Sequence, residues 1–129
     1  MKLMSPRAAL ATGSLRPVIE VTEFRADRGA ATWDGFAQEC GASFRCAWSG
    51  LRALQLEHHL WHRLRLLELH LTGFGAPRKI GQCAVGVGNR LTVFADGLQL
   101  RPGQERLWEP AMAAVLAALG PGRYRYGSH

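Results

Sequence analysis

The amino-acid sequence predicts a mixed α/β (α+β) fold, a mostly antiparallel sheet flanked by helices, and three observations carry that expectation. Apolar and polar residues alternate over 18–24 and again over 67–71, the two-residue period of a strand with one buried face. Apolar residues recur at helical spacing over 33–40 and 108–119. The order of segments is strand, two helices, three meandering strands, helix, strand, which layers helices on one sheet.

Residues 1–17 carry Pro6, Gly13 and Pro17 without apolar periodicity and read as a flexible arm, leaving 18–129 as a single domain. "VIEVTEF" is the first strand. Thr32 is expected to cap a short helix in which Trp33, Phe36, Ala37 and Cys40 share a face, ended by Gly41. "ASFRCAW" links it to a second helix opened by Ser49, with Leu51, Leu54, His58 and Trp61 on one stripe. Leu67, Leu69 and Leu71 alternate with Glu68 and His70, which places His70 outward beside Glu68. "TGFGAPRK" is a hairpin loop, "IGQCAVGVG" the returning strand and "NRLTVFADGLQL" the next. "RPGQER" turns the chain. Trp108, Ala111, Met112, Val115, Leu116 and Leu119 then mark the clearest helix, with Pro110 in its first turn and "GPG" closing it. "RYRYG" is a last short strand.

A chain of 129 residues, 47% hydrophobic and 20% charged, suits one ordinary domain and can bury roughly two-thirds of its unfolded surface. Net charge is +6, carried almost wholly by arginine, since Lys2 and Lys79 are the only lysines. Those arginines are spread from Arg7 to Arg125 rather than gathered with stacking aromatics, which argues against nucleic-acid binding. Arginine, alanine and leucine richness has the look of a high-GC coding sequence. Cys40, Cys46 and Cys83 are odd in number and form no Cys-x-x-Cys pair, so buried reduced thiols in a cytoplasmic protein are expected. "AMAAVLAALGPG" is too short to cross a bilayer, and "MKLMSPRAALATG" is broken by Pro6 and Arg7 as a secretion signal.

"LEHHLWHRLRLLELH", residues 56–70, holds four of the five histidines. His58 and His62 would share a helical face, yet His59, Leu60 and Trp61 stand where a zinc protease needs its glutamate. A metal would need Glu57, Glu68 and His70 folded back onto the helix. The plainer expectation is no metal: His58 partly buried, and His59 and His62 near a helix end whose dipole favours them. No serine sits in a nucleophile motif, so no catalytic residue is assigned.

The pieces "ASFRCAW", "KIGQCAVG" and "DGLQLRP", together with the order of elements over residues 20–128, resemble the GNAT N-acetyltransferase superfamily. The likeness is to the first GNAT-like half of Fem-like and CelD/BcsL-like acetyltransferases. The resemblance implies that Arg90–Leu100 is a fourth strand splaying from a fifth, "RYRYG". Backbone groups near Leu98, Gln99 and Leu100 would then face a pantetheine arm. Gly103, Gln104 and Arg106 would lie in the turn that cradles the CoA diphosphate against a helix N-terminus. The family turn reads Gln/Arg-x-x-Gly-x-Gly/Ala; here Leu107 and Glu109 replace its glycines, and a glutamate repels phosphate. The chain also ends after the fifth strand, so the domain is expected to be partial. The resemblance thus implies a degenerate, non-catalytic half of an acetyltransferase, with no cofactor in this chain. The alternatives are a stand-alone acetyl-CoA-dependent N-acetyltransferase, which would bind acetyl-CoA, and a small non-enzymatic assembly subunit. The expected partner is a second GNAT-like half or a second copy, reached through the 108–119 helix, whose Ala113, Ala114, Ala117 and Ala118 face carries no charge.

Overall fold

The computed structural model describes residues 18–42, 47–57, 61–73, 75–88, 90–95 and 97–126. The N-terminal arm and most of the link between the helices lie outside that range. Strand β1 (Val18–Glu23) is followed by a 3-10 turn (Ala26–Arg28), helix α1 (Ala30–Glu39) and helix α2 (Trp48–Glu57). Strands β2 (Trp61–Thr72) and β3 (Arg78–Gly88) form a long hairpin. The short strands β4 (Thr92–Phe94) and β5 (Gln99–Leu100) come next. Helix α3 (Trp108–Leu119) and strand β6 (Tyr124–Arg125) complete the described chain.

The sheet runs β1-β2-β3-β4-β6, with β5 also paired to β3. Every pairing is antiparallel except β4 with β6, which is parallel, as a strand reached through a crossover helix must be. The expected mixed, mostly antiparallel open sheet with flanking helices is therefore present.

Both faces of the sheet are covered. On one, Leu67, Leu69, Ile80, Cys83, Val85 and Phe94 pack against Ala111 and Val115 of α3. On the other, Ala84 and Ala95 pack with Phe24, Trp33 of α1 and Leu51 of α2, flanked by Leu64 and Leu66. Trp33 is fully buried, and Phe24 meets its ring edge-on at 5.2 Å.

Several local expectations are corrected. Helix α1 begins at Ala30 with Gly29 as its N-cap, and the Thr32 hydroxyl donates back to Arg28 O at 2.9 Å instead of capping. Helix α2 ends at Glu57 and Trp61 opens β2, so the stripe drawn from Leu51 to Trp61 crosses an element boundary. The single strand expected over 90–100 is two, because the chain leaves the ladder after Phe94 and rejoins β3 only at Gln99. Helix α3 has the bounds the spacing predicts, but its stripe is narrower: Trp108 and Leu116 are exposed.

A β-bulge shapes the middle of the sheet. Leu69 pairs with Gly81 and His70 with Lys79, leaving Ile80 as an extra residue in β3. The inserted residue shifts the alternation, so Lys79 and Gln82, three apart, turn to the same face. Ile80 meanwhile joins the α3 core.

Candidate functional site

The residues expected to face a coenzyme follow β4 in the chain, and the first of them, Leu98, meets the residue after β6. Thr92 pairs with Tyr124 and Val93 with Arg125, and the Thr92 N–H donates to Arg123 O at 2.9 Å. Beyond that point the two backbones are joined by a side chain: the Leu98 N–H donates to the Tyr126 hydroxyl at 3.0 Å. The Tyr126 ring is sandwiched between Phe94, 5.3 Å away, and Trp108, 5.9 Å away and edge-on. Gln99 and Leu100 pair with Gln82 and Gly81 of β3. Leu100 lies against the α3 core, while Gln99 is buried on the opposite face.

The turn from Arg101 to Leu107 leads into α3. Gly103 sits at φ 91°, and its N–H donates to the Glu105 carboxylate at 3.0 Å. The Gln104 N–H donates to Arg101 O at 3.0 Å and the Leu107 N–H to Gln104 O at 2.9 Å. An anion at a helix N-terminus needs amides pointing at it. Here a side-chain carboxylate takes the Gly103 amide and carbonyls take its neighbours. Arg106 is exposed. Leu107 is buried in the core, and Glu109 is exposed in the first turn of α3. The structure thus brings Leu98–Leu100 and Gly103–Arg106 into one region, with the Leu98, Gly103 and Gln104 amides already occupied from within the chain.

A second cluster was not legible in the sequence. Glu68 is 2% exposed, and its carboxylate accepts from Lys79 Nζ at 2.7 Å and Arg28 Nη1 at 2.6 Å. Lys79 Nζ also donates to Gln82 Oε1 at 2.9 Å, and Gln82 Nε2 donates to Trp33 O at 3.2 Å. Aromatic faces surround the cations. Lys79 lies 4.3 Å from the Phe36 centroid, Arg101 4.7 Å from the same ring, and Arg28 4.8 Å from Phe24. Burial by itself would raise the Glu68 carboxyl, but the Lys79 and Arg28 charges and hydrogen bonds overcome it and hold it below the usual carboxylate range. Burial draws the Lys79 ammonium down, with Glu68 opposing. Burial also pushes the Cys40 thiol up to about 11, against the pull of Arg101.

The sequence reading set Glu68 outward beside His70, and that is corrected. The face it assigned to solvent is the one that α1 covers. The clue was Lys79, the single lysine of residues 18–129, set one strand away from a glutamate among leucines. His62 lies on β2 rather than on a helix, and His58 falls outside the described residues. Among the described residues no group of three or more His, Cys, Asp or Glu side chains is placed to hold a metal ion. Nor is any described helix long and apolar enough to cross a membrane. Comparison with protein families, with characterised proteins and with solved structures returns no match.

Proposed function

We propose that this chain is a coenzyme-free acyltransferase-like domain, a scaffold of the GNAT kind whose nucleotide turn is sealed, acting as the non-catalytic half of an acetyltransferase. The observation that carries the reading is the Gly103–Glu105 hydrogen bond, which uses an amide that a GNAT-like turn would offer to a diphosphate oxygen. Two further features support it. The β4 and β6 strands run parallel, the pairing a GNAT-like fork would start from, and just past it the Tyr126 hydroxyl takes the Leu98 amide. A ligand amide or thioester carbonyl arriving there would compete with an existing hydrogen bond. Thermal melting with acetyl-CoA at about 1 mM tests the reading. A micromolar site would add on the order of 4 kcal/mol by mass action. No shift is expected, and a shift of that size would establish the stand-alone acetyltransferase instead.

One observation also favours the assembly role. Helix α3 has no charged residue from Ala111 to Leu119, and Trp108 and Leu116 are 41% and 37% exposed on it. That face is suited to a second acyltransferase-like half or to another copy of this chain. Light scattering after size exclusion separates a stable oligomer, which this role predicts, from a monomer, which removes the second-copy form of it.

A further inference from the structure

Gln99 carries an unused recognition group. Its residue is 8% exposed, and among the described residues neither Oε1 nor Nε2 has a hydrogen-bond partner. Its cross-strand neighbour Gln82 shows what a satisfied carboxamide at this depth looks like: Oε1 accepts from Lys79 and Nε2 donates to Trp33 O. A carboxamide offers an acceptor and two N–H donors. Burying them idle is unfavourable, and nearly all buried polar groups in proteins avoid it. Methionine would fill the same length of space without that cost. Folding alone therefore gives no reason for glutamine here, whereas a partner from outside the chain does.

We propose that Gln99 is the reading group of a small-molecule site on the helical side of β3 and β5, and that its ligand presents an acceptor and an N–H donor side by side. A primary carboxamide or the edge of a nucleobase has that pattern. Among the described residues the nearby ionised side chains already have partners: Glu68 has Lys79 and Arg28, and Arg101, two residues beyond Gln99, has Glu39. Gln82 and Arg101, which flank Gln99, both reach α1, so the ligand would lie under that helix against its aromatic residues. This site stands apart from the coenzyme reading, which concerns the backbone of the fork and turn rather than the Gln99 side chain.

The test is the melting temperature of the full chain and of Gln99→Met, alone and with millimolar nicotinamide, adenosine or nicotinate. Gln99→Met alone is expected to melt higher, by roughly 4 °C or more. Nicotinamide or adenosine should raise the wild-type value and leave the variant unmoved. Nicotinate, which lacks the N–H donor, should move neither protein. A response to nicotinamide alone identifies a carboxamide ligand, and a response to adenosine alone a nucleobase. A lower melting temperature for Gln99→Met, equal shifts in both proteins, or no shift with either probe would overturn the proposal. Gln99→Leu repeats the comparison with a branched side chain.

Discussion

Glu68 sits under two cations that reach it from different directions, Lys79 from the neighbouring strand and Arg28 from the turn before α1. Removing one partner of such a buried set is more costly than removing all of it, because the remaining charges stay desolvated. Glu68→Gln is therefore expected to lose on the order of 3 kcal/mol at neutral pH, read from denaturant unfolding. Glu68→Leu combined with Lys79→Met should stay within about 1 kcal/mol of the wild type or exceed it. The pH dependence has a definite sign. The folded pKa of Glu68 lies below its ordinary 4.5, so its contribution is complete above that pH and is lost as the pH falls through the lower folded value. An acid titration of stability should show this loss in the wild type, and Glu68→Gln should lack that share. Cys40 gives a second prediction at this scale. With its thiol pushed up to about 11, it should react with a thiol reagent at pH 8 roughly a hundred-fold more slowly than a free cysteine, measured by mass mapping.

Among the elements, the short β5 strand depends on a glycine. A Cβ on Gly81 would lie 2.7 Å from Gln99 O and 2.8 Å from Leu100 Cδ2, so the backbone of β5 would have to move. Gly81→Ala is expected to destabilise the fold by about 2 kcal/mol and to loosen amide-exchange protection at Leu100 and Arg101 ahead of the rest of the sheet. How much was legible in the sequence follows from how local each cause is. The bounds of α3 and the presence of β1, β2 and β3 rest on periodicity within ten or so residues, and the structure has them. The break between Phe94 and Gln99 depends on β3 pairing, and the bulge at Ile80 on register, neither of which a single strand's pattern carries. Glu68 was misplaced for a related reason. Alternation of leucine with polar residues implies one wet face, but here helices cover both. What makes the buried carboxylate tolerable comes from positions 40 and 11 residues away. Leu98–Leu100 and Gly103–Arg106 were singled out only by the likeness to GNAT proteins, whereas Tyr126 and Glu105, which accept from the Leu98 and Gly103 amides, had no motif to mark them.

For the molecule as a whole, the proposed coenzyme-free role rests on the Leu98 and Gly103 amides being taken by the Tyr126 and Glu105 side chains and the Gln104 amide by the Arg101 carbonyl. The uncharged outer face of α3 extends that claim to assembly, where Leu116→Lys should convert any oligomer to monomer without lowering the melting temperature of the isolated chain, since Leu116 is exposed. The most direct measurement is an amide NMR titration of the full chain with CoA. The Leu98, Gly103 and Gln104 resonances are expected to stay in place up to millimolar ligand. Saturable shifts confined to those amides, with a micromolar dissociation constant, would contradict the coenzyme-free role.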